Sequence, residues 1–256
     1  MNELIFKNMK IHFVFCLLAI CSQMAFAQER CDILSLNNSL IDYNNQPEMF
    51  NEMAKAQGKD AHWESRTQLG RTLIFHYNNY VSHDAAMSRP WDYVILQEQS
   101  ALPRNNPEVF MQTIELWWRA FNDKFGEKIP SIILPMNWAY SDSAEFMDQT
   151  RQLIRSYIDV ERDLPGVKVC PIGIAYEIVF NDYGKDEWLS LYTDNRHPTP
   201  KASYLAACME YAVIFNETPE SISYRPNCIT PAEADRMKKV ASKALEKWAQ
   251  DKMISR

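Results

Sequence analysis

Apolar runs with the length of buried strands recur along the chain and are separated by amphipathic stretches. Examples are CDILSL at 31–36, WDYVILQ at 91–97 and PSIILPM at 130–136. Alternation of such strands with helix-like segments is typical of a parallel sheet covered by helices on both faces. The sequence therefore predicts an α/β domain. Its predicted strands are 31–36, 61–67, 91–97, 130–136 and 167–173, and its predicted helices lie near 46–57, 72–87, 107–125, 143–162 and 174–182.

Proline and glycine mark several of the predicted helix ends. Pro47 and Pro107 stand where a proline is tolerated in the first turn, and Gly58 and Gly126 stand where a helix commonly stops. The segment TPAE at 230–233 is typical of a capping box and predicts a long charged helix that reaches about residue 252. There is no internal repeat or low-complexity linker, so a single domain over 28–256 is predicted.

The first 27 residues have the pattern of a cleavable secretory signal. Lys7 and Lys10 precede an apolar run over residues 11–20, and small residues follow at Ala25 and Ala27. This order of charged, apolar and small residues predicts cleavage after Ala27. The expected location of the mature protein is therefore the periplasm or the extracellular medium.

Charge and hydropathy exclude two classes of partner. The formal net charge is −6 and no run of basic residues is present, which argues against nucleic-acid binding. Beyond the predicted signal no apolar run is long enough to span a membrane. No pattern in the sequence indicates the oligomeric state.

Four cysteines follow the predicted signal: Cys31, Cys170, Cys208 and Cys228. An exported chain can form disulfides, and Cys208 with Cys228 is the first pair to consider. Buried reduced thiols are the alternative. The cysteines lack a Cys-x-x-Cys spacing and the histidines are scattered, so neither a metal site nor a cofactor is predicted.

Polar residues follow the predicted strands, where ligands bind in parallel sheets. Ser39 follows the first strand, Gly70 the second and Gln99 the third, while Asp194 and His197 share a short turn that runs into Pro198. Ester hydrolysis by a serine needs a base, a carboxylate that orients the base, and donors for the oxyanion. Ser39 is the candidate nucleophile, His197 the candidate base and Asp194 the candidate carboxylate, and Gly70 and Gln99 are the candidate oxyanion donors. Each also has a structural interpretation, such as a helix N-cap for Ser39.

The segments LSLNNSLIDYNNQPEMFNEMAKAQGK, SRTQLGRTLIFHY, WDYVILQEQSALP and LYTDNRHPTPKASYLAACMEYAVIFNETP resemble the SGNH, or GDSL-like, serine hydrolases, especially exported bacterial members. The resemblance covers most of residues 31–219 in order. It implies a flavodoxin-like three-layer α/β/α sandwich with a central five-stranded parallel sheet. It also implies that Ser39 is the nucleophile, that Asp194 and His197 complete a triad, and that the Ser39 and Gly70 amides bind the oxyanion.

The departure from the family pattern that bears most on the oxyanion site lies after the third strand; Asn37 and Leu69 stand at two further positions where family members often have glycine. The third oxyanion donor is usually an asparagine in a Gly-x-Asn sequence after the third strand, and this chain has Gln-Glu-Gln there. Gln99 would replace the asparagine with a side chain one methylene longer, and Gln97 is the alternative.

The predicted function is that of an exported carboxylic-ester hydrolase that removes O-acetyl groups from a carbohydrate. The residues predicted to contact the substrate are Asn38, Gln97, Trp138, Tyr140 and Tyr192. Three alternatives stay open: a lipid or aryl esterase, including a lysophospholipase, on the same site; a catalytically decayed glycan-binding protein; and an acyltransferase in which a sugar hydroxyl replaces water.

Overall fold

The predicted α/β fold is confirmed in the computed structural model, which describes residues 30–254. One five-stranded sheet has the order β2-β1-β3-β4-β5, and every pair of neighbouring strands is parallel. The strands are β1 Cys31–Asn37, β2 Ala61–Thr67, β3 Tyr93–Leu96, β4 Ser131–Pro135 and β5 Val167–Cys170. The predicted signal over 1–27 lies outside the described residues.

The helices of residues 30–254 follow and separate these strands. In chain order they are α1 Ser39–Asp42, α2 Gln46–Ala56, α3 Leu73–Asn78, α4 Tyr80–Met87, α5 Leu102–Asn105, α6 Pro107–Phe125, α7 Phe146–Asp163, α8 Ile172–Tyr183, α9 Lys185–Leu189, α10 Pro200–Phe215 and α11 Pro231–Ile254. Short 3₁₀ turns occur at Tyr43–Asn45, Gly126–Lys128 and Pro219–Ser221.

The central strands are apolar on both faces because helices cover both faces of the sheet. Val94 and Ile95 of β3 and Ile132 and Ile133 of β4 are all fully or almost fully buried. Helix α10 contacts both α2 and α11, and these three helices form one group. In a second group, α6 contacts both α3 and α7. This arrangement explains why these strands read as continuous apolar runs rather than as alternating patterns.

Two predicted elements have different bounds in the structure. The single helix predicted over 72–87 is two helices, because Asn79 ends α3 and its side chain accepts a hydrogen bond from Ser82 N (3.1 Å) at the start of α4. The strand predicted to reach residue 173 ends at Cys170. Pro171, which has no N–H to donate, follows it, and α8 begins at Ile172.

The predicted helix ends at proline and glycine are confirmed. Pro107 is the first residue of α6, and Gly126 ends that helix with a φ of +56°, a backbone conformation that favours glycine. At the start of α11, Thr230 N donates to Glu233 Oε2 (2.9 Å) and Glu233 N donates to Thr230 Oγ1 (3.3 Å). The predicted capping box is therefore present.

None of the four cysteines in residues 30–254 forms a disulfide. Cys208 is buried within α10, whereas Cys228 is exposed. The pairing of Cys208 with Cys228 is therefore wrong for this structure, and the alternative of free thiols applies. Burial raises the pKa of Cys208 to about 12, so its thiol stays protonated at neutral pH.

The strand order creates a crevice at the carboxyl ends of β1 and β3. From β1 the chain continues to β2 on one side of β1, and then to β3 on the opposite side of β1. The place where the connections change direction in this way is the topological switch point of the sheet. Leu36 of β1 is opposite Leu96 of β3, so the residues that follow the two strands lie side by side. Ser39 and Gln97 are both placed at this crevice.

Candidate active site

Ser39 is the first residue of α1, two positions after the end of β1. The preceding residue, Asn38, holds this turn by three hydrogen bonds. Its Oδ1 accepts from Leu40 N (3.2 Å), its Nδ2 donates to Arg71 O (3.2 Å), and its backbone N donates to Gln97 Oε1 (3.1 Å). Asn38 is only 2% exposed, so its observed role is to position the serine, which argues against the predicted contact with substrate.

Ser39, His197 and Asp194 form a continuous chain of hydrogen bonds. Ser39 Oγ lies 3.0 Å from His197 Nε2, and His197 Nδ1 lies 2.8 Å from Asp194 Oδ2. The second carboxylate oxygen, Asp194 Oδ1, accepts from the backbone amides of Arg196 (2.7 Å) and His197 (2.8 Å). The structure thus brings together the three residues that the sequence predicts for a triad, although Ser39 and His197 are 158 positions apart in sequence.

The turn that carries Asp194 and His197 is closed by its own backbone. Thr193 N donates to His197 O (2.9 Å), and an antiparallel bridge joins Tyr192 to Pro198. Pro198 restricts the backbone that follows His197. Because the carboxylate bonds two amides of this same turn, its position relative to the imidazole depends little on the rest of the protein.

The electrostatics of this turn favour an ionised carboxylate. The hydrogen bond from His197, followed by the bonds from the backbone amides, lowers the pKa of Asp194 to about 2. Asp194 therefore carries a negative charge next to His197 Nδ1 throughout the neutral range. The ring of Tyr43 stacks on the imidazole, with ring centres 4.3 Å apart and an interplanar angle of 10°, and restricts its rotation.

Two backbone amides at this crevice are free to bind a ligand. Within residues 30–254 neither Ser39 N–H nor Gly70 N–H has a hydrogen-bond acceptor. Gly70 has a φ of +69°, which explains the glycine at this position. The Gly70 loop is joined to β1, since Gln68 N donates to Asn37 O (2.9 Å). Free amides of this kind are the donors that an oxyanion requires.

The two glutamines after β3 have different environments. Gln97 is 2% exposed, and its amide nitrogen donates to Glu98 O and to Asn137 Oδ1 (3.3 Å) while its oxygen accepts from Asn38 N. Gln97 therefore supports the turn that carries Ser39, and both of its amide hydrogens have acceptors in the protein. Gln99 Oε1 accepts from the amides at the start of α5, whereas within residues 30–254 its Nε2 makes a single long bond of 3.4 Å to Ser100 Oγ. Gln99 thus retains an N–H donor that could bind a ligand.

Glu98, which the sequence analysis did not single out, lies between the two glutamines and is 1% exposed. Its Oε1 accepts from Gln99 N (2.6 Å) and from Leu73 N (3.1 Å), and its Oε2 has no hydrogen-bond partner in residues 30–254. Burial raises the pKa of this carboxyl to about 7, although the two amide bonds act in the opposite direction. The sequence feature that could have drawn attention to Glu98 is its charge, directly after the apolar predicted strand 91–97.

Two of the aromatic residues predicted to contact the substrate belong to the core. Trp138 is 6% exposed and stacks on Tyr176 at 4.7 Å, and its Nε1 donates to Arg196 O (2.9 Å). Tyr192 is 8% exposed and donates to Ala139 O (2.7 Å). These contacts explain their positions and argue against the prediction that their rings touch the substrate. Tyr140 is half-buried and remains accessible.

Neither a metal cluster nor a membrane-spanning helix is found in the part of the chain that the structure describes. Over residues 30–254 no three histidine, cysteine, aspartate or glutamate side chains are grouped so that they could hold a metal ion. In the same range no helix is both long enough and apolar enough to cross a bilayer.

Comparison with solved structures shows similarity over most of the domain. A DUF4886 family protein from Bacteroides uniformis has a TM-score of 0.73 at 16% identity, over 85% of this chain and 95% of the other. A protein from Slackia heliotrinireducens that is proposed to be an SGNH hydrolase has a TM-score of 0.60 at 21% identity, over 71% of this chain and 97% of the other. A substituted form of Axe2, an acetyl xylan esterase from Geobacillus stearothermophilus, has a TM-score of 0.51 at 11% identity, over 72% of this chain and 94% of the other.

At these identities the similarity establishes the fold. The chain has the fold of the SGNH hydrolases, and the resemblance identified from its sequence segments is confirmed at that level. No protein-family model matches the chain, and a search of curated proteins gave no match.

Proposed function

We propose that this protein is a serine hydrolase that cleaves carboxylic esters, with Ser39 as nucleophile, His197 as base and Asp194 as orienting carboxylate. The observation that carries the proposal is the chain of hydrogen bonds from Ser39 Oγ through His197 to Asp194, beside two free amides at the crevice of the sheet. A nucleophile, a base and an orienting group at these distances are the elements of acyl transfer.

In the first half-reaction His197 Nε2 takes the proton of Ser39 as Oγ attacks the ester carbonyl carbon. The new C–O bond moves an electron pair onto the carbonyl oxygen, and the Ser39 and Gly70 amides stabilise that charge, with Gln99 Nε2 as the third donor. Asp194 accepts the hydrogen bond from Nδ1 and stabilises the imidazolium. The alcohol leaves when its C–O bond breaks and His197 returns the proton to it.

In the second half-reaction water replaces the alcohol. His197 removes a proton from the water, which attacks the acyl-serine carbonyl, and collapse of the second tetrahedral intermediate breaks the bond to Ser39 Oγ. His197 then reprotonates Ser39, and the free acid is released.

The finer proposal is that an exported form of the enzyme removes O-acetyl groups from a carbohydrate. Two observations support it: the secretion-signal pattern of residues 1–27, and the presence of an acetyl xylan esterase among the proteins that share this fold. The oxyanion site and the half-buried Tyr140 lie at the open crevice of the sheet, where a sugar ring would have access.

Acid release from p-nitrophenyl acetate and from acetylated xylan and pectin tests this proposal. The mature chain from Gln28 is compared with Ser39→Ala and His197→Ala, and the matched controls are Ser88→Ala and His62→Ala, which change exposed residues outside the crevice. We expect both site variants to lose activity by a factor of about 10⁴ or more and both controls to keep it.

A preference for the acetylated glycans would support the carbohydrate proposal, and a preference for long-chain or aryl esters would favour a lipid or aryl esterase. If the wild-type protein and the site variants are equally inert on all esters, the hydrolase proposal is wrong. Binding of the glycans without turnover would then favour a glycan-binding protein.

A further inference from the structure

Tyr140 lies between the two loops that form the sides of the candidate active site. Its hydroxyl is 2.7 Å from Ser100 Oγ, and Ser100 directly follows Gln99. The next residue, Ser141, donates its backbone N–H to Asn195 O (3.1 Å) in the turn that carries His197. The ring therefore lies between the segment that follows Gln99 and the turn that carries His197.

Two guanidinium groups lie against this one ring. The guanidinium carbon of Arg104 is 4.5 Å from the ring centre and that of Arg196 is 4.8 Å from it, so the two cations are separated by no more than the sum of those distances. Cation–π contacts hold both groups in place. Arg196 is also the residue directly before His197, and the backbone carbonyl of Arg196 accepts a hydrogen bond from Trp138 Nε1.

Neither arginine is neutralised within residues 30–254. Arg104 donates only to the neutral acceptors Gln149 Oε1 (2.8 Å) and Asn105 Oδ1 (3.3 Å), and the guanidinium of Arg196 makes no hydrogen bond or ion pair. Six other arginines of residues 30–254 are paired with carboxylates: Arg66, Arg89, Arg119, Arg151, Arg162 and Arg236. Arg104 and Arg196 differ from the remaining arginines of that range because both lie against one aromatic ring.

Within residues 30–254 no carboxylate forms an ion pair with Arg104 or Arg196. Asp194 bonds His197 and two backbone amides, and Asp142 Oδ2 accepts from Asn195 Nδ2 (2.9 Å). Two like charges that share one ring repel each other, and a bound anion would remove that repulsion. Guanidinium groups match the geometry of planar and tetrahedral oxyanions and bind them by paired hydrogen bonds.

We propose that Arg104 and Arg196, positioned on Tyr140, form a subsite for an anionic group of the substrate, so that the preferred ester is one carried by an acidic sugar. The anionic group of the substrate would be a carboxylate or a sulfate next to the acylated hydroxyl, since a guanidinium binds either oxyanion. The inference rests on the proposed esterase function, because the subsite is defined relative to Ser39.

The test uses one polymer in two charge states. Acetylated homogalacturonan with free carboxylates is compared with the same polymer after methyl esterification, and kcat/KM for acetate release is measured on both. The wild-type protein is expected to prefer the acidic polymer by about tenfold or more at low ionic strength, and added salt should reduce that preference.

Arg104→Gln and Arg196→Gln are each expected to lower the ratio of the two kcat/KM values by about tenfold. The matched control is Arg155→Gln, an exposed arginine on α7 without an ion pair in residues 30–254, which should leave the ratio unchanged. Competition against p-nitrophenyl acetate hydrolysis by galacturonate, inorganic sulfate and galactose distinguishes the two anions, with galactose as the neutral comparison.

Equal kcat/KM values for the two polymers in the wild-type protein, or a ratio that neither site variant changes, would overturn the subsite. Those outcomes leave hydrolysis of p-nitrophenyl acetate intact. A protein with no Ser39-dependent activity on that ester would instead contradict the proposed function itself.

Discussion

The two sides of the candidate site are built in different ways. On the base side, Asp194 and His197 lie three residues apart in one turn and bond each other and the backbone of that turn. On the proposed oxyanion side, Gln97, Glu98 and Gln99 form bonds to the turn that carries Ser39, to the start of α3 and to the start of α5, respectively. The base side is therefore a local structure, whereas the oxyanion side depends on contacts between distant segments.

The carboxyl groups of the two sides differ accordingly. The side chain of Asp194 is 53% exposed, and hydrogen bonds lower its pKa to about 2. Glu98 is 1% exposed, and desolvation raises its pKa to about 7. The base side therefore carries a permanent negative charge, on Asp194, close to solvent. The other side holds a buried acid whose charge state changes near neutral pH.

The largest expected effect concerns the charge on the base side. Asp194→Asn keeps an oxygen for the backbone amides but presents an amide N–H, or a weaker acceptor, to His197 Nδ1, which disfavours the tautomer that the mechanism needs. We expect kcat for ester hydrolysis to fall by a factor of about 10³ to 10⁴. Steady-state kinetics on p-nitrophenyl acetate measures this.

The control for that variant is Asp186→Asn, which changes an exposed aspartate on α9. Full activity in Asp186→Asn together with a large loss in Asp194→Asn would assign the effect to the carboxylate beside the imidazole. A loss of less than tenfold in Asp194→Asn would contradict the role given to Asp194.

An intermediate effect separates the two glutamines of the oxyanion side. Gln99→Ala removes the proposed third donor, and we expect kcat to fall by about 10² to 10³. Gln97→Ala leaves buried groups of Asn38 and Asn137 without partners, and we expect it to lower the free energy of unfolding by about 1 to 3 kcal/mol. Kinetics and denaturant unfolding of both variants give the comparison.

The reverse pattern, in which Gln97→Ala has the larger kinetic effect and an unchanged stability, would mean that Gln97 rather than Gln99 faces the oxyanion. Loss of stability in Gln99→Ala should be small, because that change removes the hydrogen bonds that Gln99 Oε1 accepts from Ala101 N (3.0 Å) and Leu102 N (3.1 Å) beside the short helix α5.

The smallest kinetic effect is expected for the buried acid. The folded chain binds a proton on Glu98 more tightly than the unfolded chain, so the free energy of unfolding decreases as pH rises from about 4.5 to about 7 and is level above that range. The cost of ionisation is on the order of 3 kcal/mol. Glu98→Gln removes this cost, so thermal unfolding from pH 5 to pH 8 should depend less on pH.

Glu210→Gln is a matched control for Glu98→Gln. Glu210 is completely buried in α10, where desolvation raises its pKa to about 8 and Gln46 Nε2 donates to it (2.8 Å). Both variants should reduce the pH dependence of stability. Only Glu98→Gln should also lower kcat a few-fold above pH 7, because Glu98 bonds the backbone of Gln99. An equal effect of both variants on kcat would exclude that role.

The same comparison explains what the sequence could predict. The five parallel strands follow from apolar runs separated by helical patterns, and the turn of Asp194 and His197 follows from a local spacing that ends in proline. The break of the predicted helix at Asn79 was missed because an asparagine inside a helical pattern caps only when its side chain turns back to the amide of Ser82.

The direction of side chains after β3 could not be predicted in this way. Whether Gln97 or Gln99 faces the crevice depends on bonds to Asn38 and Asn137, which are far away in sequence. The burial of Trp138 and Tyr192 likewise depends on the position of Tyr176 in α8. Local patterns therefore define the base side, and tertiary packing decides the oxyanion side and the rim.

Covalent labelling of Ser39 tests the central claim most directly. A chain that begins at Gln28 is treated with a fluorophosphonate, which forms a stable bond to an activated serine, and the modified peptide is identified by mass spectrometry. The account predicts stoichiometric labelling of Ser39 that is abolished in Ser39→Ala and greatly slowed in His197→Ala. Labelling of a different residue, or no labelling of the folded wild-type protein, would contradict it.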